Sequence, residues 1–292
     1  MPARLTDRVR PASGLVIVDK PAGMTSHDVV SQVRRLAGTR KVGHAGTLDP
    51  MATGVLVVGV EKATRLLGHL MLTEKRYDAT VRLGESTLTD DADGETVATA
   101  DTSSLSQAQI REVFSRFVGA IEQVPTAVSA IKIDGKRAYQ RVRDGEQVEL
   151  EPRPVTIHDL TVHAVRAADV DISVRCSSGT YIRAIARDAG SALGVGGHLT
   201  ALRRTGVGPY LVDGATTLDD LSERFTVLPI ADAARAAFPS LELDAAMAAE
   251  VRFGRRLDLD LAGLTAVFAP DGEFLALYEP SESSARPNAV FV

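Results

Sequence analysis

The chain has 292 residues, 45% of them hydrophobic, enough for one large domain and a small one whose core forms without staples. Its one cysteine, Cys176, excludes an intrachain disulfide, and no apolar run approaches the roughly 18 residues that span a bilayer. The formal net charge of -5 argues, on average, against a polyanionic partner.

Averages hide patches. Acids concentrate in Glu85 to Asp101, while bases cluster at Arg34, Arg35, Arg40 and Lys41, at Lys75 and Arg76, from Lys132 through Arg143, and at Arg203 and Arg204. Each cluster alone reads as a solvated surface; sharing a face, they would bind phosphates. Met1 to Arg10 carry no apolar signal core, and with the single thiol this points to a cytoplasmic protein.

In chain order, Gly14 to Asp19 reads as a buried strand entering the turn Lys20-Pro21-Ala22-Gly23. Ser26 then caps a helix carrying Val29, Val30, Val33 and Leu36 and stopped by Gly38. Next comes the stretch Lys41 to Gly54, which places one carboxylate, Asp49, in a loop stiffened by Gly43, Gly46, Gly54 and Pro50. The apolar run Val55 to Val60 follows as a strand, so Asp49 lies at a strand mouth, where chemistry is often sited. The plain alternative is an Asp-Pro turn with no function. The loop lacks the Gly-Lys-Ser/Thr ending of a phosphate-binding loop, and His44 with Asp49 does not make a metal-ligand spacing.

Leu66, Leu67, Leu70 and Met71 mark another helix. Lys75 to Leu83 alternates, with Tyr77, Ala79, Val81 and Leu83 inward. Glu85 to Asp101 is aperiodic and reads as a solvent loop. Ser106 and Gln109 form a capping box for a helix whose stripe is Ile110, Val113, Phe114, Phe117 and Val118. Ala127 to Ile133 reads as a strand and Asp134-Gly135 as a hairpin turn, followed by Tyr139 among bases. Val155 to Val165 and Val170 to Cys176 pair as strands.

Ile182, Ile185, Ala186, Ala189 and Leu193 then place a helix starting near Thr180, with Arg183 and Arg187 off its apolar face. An arginine in a first turn opposes the helix dipole and calls for an anionic neighbour; solvated arginines on an ordinary amphipathic helix are the alternative. Leu199 to Thr205 reads as a strand, and Leu221 to Ala237 holds a short helix. From Leu241 the chain restarts with a helix near Ala245 to Val251 and short strands around Ala266 to Phe268 and Phe274 to Tyr278, the pattern of a small β-rich module.

Several of these segments together resemble the bacterial tRNA pseudouridine synthase B family. They are Asp19-Lys20-Pro21 with Gly23 to Ser26, Gly43 to Pro50 followed by Ala52-Thr53-Gly54, Lys75-Arg76-Tyr77, Gln123-Val124-Pro125 with Ser129-Ala130 and Lys132, and Ser178 to Arg183. The match runs from about residue 14 to 210. More weakly, the C-terminal stretch is similar to the PUA-like RNA-binding module those enzymes carry. The resemblance implies an α/β (α+β) catalytic domain, residues 1-238, around a mixed, largely antiparallel sheet with flanking helices, and a PUA-like domain over 239-292. It implies isomerisation of the T-loop uridine, position 55, of tRNA, with no cofactor and no metal.

On the matching positions, Asp49 is the catalytic aspartate, Tyr77 the tyrosine stacked on the base and Arg183 the partner of the aspartate. His44 helps hold the flipped nucleotide out, Tyr181 lines the pocket with Gly46 and Thr47 of the motif, and Lys20 belongs to a structural motif beside it. Lys132, Arg137 and Arg141 are expected to meet phosphates. The family pattern is broken at Thr126, where a second proline is frequent, and at Val128, where an aromatic is. A monomer acting on the T stem-loop of tRNA is expected. Two rivals stand: a tRNA-binding or folding protein without modification activity, and a glycosidase-like hydrolase, which would normally need two flanking carboxylates.

Overall fold

Period-two stretches pair as strands and period-3.6 stretches cover the sheet they form. The computed structural model describes residues 12–126, 132–133, 136–137 and 150–292, the two short pairs by backbone alone. The strands are β1 (Gly14–Lys20), β2 (Val42–Ala45), β3 (Thr53–Val60), β4 (Lys75–Leu83), β5 (Glu85–Thr87), β6 (Thr96–Thr99), β7 (Gly119–Gln123), β8 (Lys132–Ile133) and β9 (Lys136–Arg137). They continue with β10 (Arg153–Arg166), β11 (Asp169–Cys176), β12 (Gly197–Val207), β13 (Tyr210–Leu211), β14 (Leu228–Pro229), β15 (Ser240–Glu242), β16 (Thr265–Phe268), β17 (Phe274–Ser281) and β18 (Ser284–Val290). The helices are α1 (Ser26–Ala37), α2 (Leu67–Leu70), α3 (Gln107–Ser115), α4 (Ile182–Ala192), α5 (Leu218–Glu223), α6 (Ile230–Ala237) and α7 (Ala245–Arg252).

Among the described residues one sheet has the order β14-β1-β3-β12-β4-β11-β10-β7, with β2 also on β3 and β13 on β12. Every pairing in it is antiparallel except β12 with β3. The mixed, largely antiparallel sheet with flanking helices is therefore as the family resemblance implied. One face buries Val16, Leu56, Val81 and Ile172 against α1, α3 and α4 through Val33, Phe114 and Ile185. Each such side chain, fully removed from water, contributes roughly 1.5–3 kcal/mol.

The other face carries Leu15 and Val57, beside Leu66 of the turn before α2, into a cluster with Phe268, Phe274 and Leu277 of the C-terminal sheet, whose order is β15-β16-β17-β18, and with Phe291 just after it. Arg65 adds a bond from Nη1 to the Val290 carbonyl at 2.7 Å. The C-terminal unit thus shares one apolar layer with the main sheet, and has a smaller core of its own around Val251, Leu275 and Tyr278.

Several local expectations change. Thr25, not Ser26, caps α1: its hydroxyl accepts from Asp28 N at 3.1 Å while Asp28 accepts from Thr25 N at 2.9 Å. Residues 85 to 101 are not only a solvent loop; they hold the β5-β6 hairpin and the buried Asp91. Gly43 lies in β2 with ordinary backbone, whereas Gly46 and Gly54 do take positive φ, 81° and 96°. Val118, expected inside, is exposed. The expected turn at Asp134-Gly135, Tyr139 and Val128 lie outside the described residues; β8 and β9 pair in antiparallel register.

Gly54 faces Arg204 across the parallel β3-β12 contact, and a Cβ built there would sit 2.2 Å from the Arg204 carbonyl oxygen. We expect Gly54→Ala to cost at least the roughly 1–3 kcal/mol of a forced positive φ. The clash then moves β12 from β3. Thermal unfolding would register the loss, and an unchanged melting temperature would refute this account of the glycine.

Candidate active site

Four segments converge on one cavity of about 300 Å³. The loop before β3 supplies Gly46, Thr47 and Asp49; β4 supplies Lys75 and Tyr77; the β11-α4 turn supplies Ser177 to Tyr181 and then Arg183; β12 supplies Leu202 and Arg204. The volume is at the small end for ligand sites.

At its centre Arg183 Nε lies 3.1 Å from Asp49 Oδ2, and Arg183 Nη1 lies 3.2 Å from Asp91 Oδ2 and donates to the Thr89 carbonyl at 2.8 Å. One guanidinium is thus shared by two carboxylates. The Arg183 and Asp91 side chains are 6% and 5% exposed, but Asp49 is 36% exposed, so it is the member of the trio that meets the cavity. The first-turn arginine, unfavourable by its dipole, has the anions it required. Arg187 takes a parallel role one turn on, 3.3 Å from Asp90 Oδ2 and bonded to the Val124 carbonyl at 2.7 Å.

Burial drives the Asp49 carboxyl above its ordinary value, Asp91 and Asp93 add to the rise, and Arg183 and Lys20 oppose it. The guanidinium moderates the shift without reversing it. The Tyr77 hydroxyl is likewise raised by burial, with Arg204 beside it pulling the other way. Tyr77 and Arg204 are directly cross-strand partners, which is why they meet.

The Asp49 loop is held from beneath by three side chains. Arg204, fully buried, donates from Nε to the Val55 carbonyl at 2.7 Å and from Nη2 to the Gly46 carbonyl at 3.0 Å. Lys20 Nζ donates to the Pro21, Met24 and Pro50 carbonyls at 2.9, 2.7 and 3.2 Å, using all three of its hydrogens. Ser26 Oγ both donates to the Leu48 carbonyl at 3.1 Å and accepts from Leu48 N at 2.9 Å.

We expect Ser26→Ala to leave a buried amide unpaired, costing roughly 1–3 kcal/mol, and to lower turnover more than substrate affinity because Asp49 is the next residue. A melting curve with single-turnover rates checks both. A variant with unchanged stability and rate would remove Ser26 from this role.

Gln123, on β7, clamps the start of α4: its side chain accepts from Tyr181 N at 2.8 Å and donates to the Tyr181 carbonyl at 3.1 Å. It substitutes for the side-chain cap that α4 lacks.

Of the residues singled out from sequence, Asp49, Tyr77, Arg183, Tyr181, Gly46 and Thr47 line the cavity. Lys20 and His44 do not line it: Lys20 lies under the loop and His44 stands on β2 with its ring 5.7 Å from that of His27. Lys132 and Arg137 are placed by backbone only, and Arg141 lies outside the described residues. Sequence reasoning missed Asp91, Arg204, Ser26 and Gln123. The described residues hold no group of three or more potential metal ligands and no helix long and apolar enough to cross a membrane.

Three family models match in succession: "TruB family pseudouridylate synthase (N terminal domain)" over 34–182, "tRNA pseudouridylate synthase B C-terminal domain" over 183–235 and "tRNA Pseudouridine synthase II, C terminal" over 238–292. The chain is 57% identical to the tRNA pseudouridine synthase B of Arthrobacter sp. (strain FB24), over 96% of either chain. To the protein of that name from Thermobifida fusca it is 57% identical, over 96% of this chain and 99% of the other. It also resembles a chain in the structure of an H/ACA RNP bound to a substrate RNA containing 2′-deoxyuridine, with TM-score 0.73 and 25% identity. A chain in a Cbf5-Nop10-Gar1 complex gives TM-score 0.75 and 26% identity; either comparison covers 96% of this chain and 85% of the other.

Proposed function

This chain belongs to the TruB family of pseudouridylate synthases, and from that premise we propose that it converts the T-loop uridine of tRNA, position 55, to pseudouridine. The observation that carries the reading is the Asp49–Arg183 pair at 3.1 Å, opening on a cavity that Tyr77 also lines.

The reaction breaks N1–C1′, turns the uracil and joins C5 to C1′, so nothing is added or lost. The target nucleotide first leaves its stack, which costs a few kcal/mol. The ring of Tyr77 offers a face for the extruded base, and Tyr181 closes the cavity beside it. The Lys132, Arg137 and Arg141 segment supplies phosphate contacts that offset the unstacking. His44 acts outside the cavity wall, on the RNA from which the base has left.

Asp49 then works at the sugar, as a nucleophile on C1′ or as the base that removes a sugar proton. Arg183 orients its carboxylate and holds it against the rise caused by burial. At the end C5 loses its proton, and the acceptor we assign is the Tyr77 hydroxyl, which passes its own proton on as it takes this one. The hydrolase reading would pair Asp49 with a second carboxylate across the bond. Asp91 is turned instead onto Arg183 and is buried, so it flanks no bond.

The test is to incubate the purified chain with unmodified tRNA transcripts, without cofactor, and map pseudouridine by chemistry specific to it. One modified position in the T-loop is expected. Modification only elsewhere, free uracil, or tight binding with no product would each overturn the reading.

A further inference from the structure

One cation of the cavity wall has a role still unassigned. Lys75 and Arg204 are both buried, both line the cavity, and among the described residues neither forms an ion pair with a carboxylate. Arg204 spends its donors on loop carbonyls. Lys75 differs. Its Nζ donates to the Met71 and Thr73 carbonyls, which leaves one of three N–H groups over. It lies two residues before Tyr77 on β4, on the same face of the strand, so it adjoins the place where a base resting on Tyr77 would present its carbonyl oxygens.

Resting on the function proposed above, we infer that Lys75 is a further catalytic residue, donating its remaining N–H to a carbonyl oxygen of the uracil while the base is detached from the sugar. When N1–C1′ breaks, its electron pair stays on the ring, and the negative charge spreads from N1 to the carbonyl oxygens. C1′ meanwhile bonds to Asp49, or C2′ yields a proton to it. When C5 joins C1′, the Asp49–C1′ bond breaks and frees the carboxylate, or Asp49 returns the proton to C2′; the ring then surrenders the C5 proton and N1 gains one, so the charge on the base exists only between the two bonds. An ammonium fixed by two carbonyls in the wall of a cavity, buried and paired with no carboxylate among the described residues, is suited to that transient charge and of little use to the neutral ground state.

Its own titration gives a handle. Burial first, and Arg204 next, bring the Lys75 ammonium down to about 8. The groups acting on it are Arg204 of β12 and Cys176 of β11, the latter pushed up to about 11, while neighbouring Glu74 is turned onto Arg76 and Arg175. The alkaline fall of the rate near pH 8 should therefore belong to Lys75.

The experiment compares wild type with Lys75→Met and Lys75→Gln on unmodified tRNA transcripts, reading affinity, melting temperature and single-turnover rate against pH. Expected are tRNA affinity within about twofold, a rate lowered about 100-fold, and no alkaline limb near pH 8. A folded variant at wild-type rate overturns the proposal. So does lost affinity with rate preserved, which would make Lys75 a phosphate contact. If neither variant folds, the wild-type profile decides alone, and a rate still flat well above pH 8 counts against Lys75. Wild type that makes no pseudouridine defeats the proposed function itself, and this inference with it.

Discussion

Asp49→Asn is expected to abolish pseudouridine formation, by roughly 10⁴-fold or more, while tRNA affinity stays near that of the parent and stability does not fall. The two halves of that expectation have one cause. An acid whose folded value exceeds its unfolded one binds its proton more tightly when folded, so stability declines as pH rises through the interval between them. Asp49 is such an acid, raised by burial above the ordinary 3.8. At neutral pH its ionised form is a cost to the fold, and asparagine removes it. The wild-type rate should correspondingly fail on acidification at a pH above the ordinary carboxylate midpoint. Rate profiles and melting curves of both proteins test this. Residual turnover in the variant, or an acid limb at or below the ordinary value, would defeat it.

Arg183→Met should be the most damaging change to fold and activity together. It leaves Asp49 and Asp91 facing the same emptied space, with Asp91 buried and charged. Removing one partner of a buried charge group costs about 3–5 kcal/mol, which in a chain of this size lowers the melting temperature on the order of 10 °C. Asp49, already raised by burial, would lose the cation that opposes the rise, so the deficit should shrink as pH falls. The double variant Asp91→Asn with Arg183→Met should be more stable than Arg183→Met alone. Simple additivity of the two changes would show that the shared guanidinium is not what joins them.

The contrast between Asp49 and Asp91 marks how far sequence reading reached. Asp49 was legible because its neighbours are unusual locally: two glycines with positive φ, a proline and an apolar strand directly after. Periodicity likewise gave β1, α1, β4, β10, β11 and α4 nearly whole. Asp91 is not legible, because it sits in an aperiodic acidic stretch and its charge is met by Arg183, whose position 92 residues later no local pattern encodes. Arg204 misled similarly: beside Arg203 it reads as a surface pair, but strand alternation sends Arg203 to Asp19 and Arg204 into the protein under the Asp49 loop. Ser26 was found as a polar residue at a helix start and given the commoner job, which Thr25 performs one position earlier. Strands of two to four residues, such as β5, β13 and β15, offer too few alternations to be seen.

The apolar layer joining the main sheet to the C-terminal sheet has one more consequence. A unit hung on a linker searches, and its partner may arrive at many separations; a unit seated on Leu15, Val57 and Leu66 through Phe268, Phe274 and Leu277 cannot. The separation between the Asp49 cavity and the C-terminal sheet is then fixed by side-chain packing, so a single RNA able to touch both would have to match that distance.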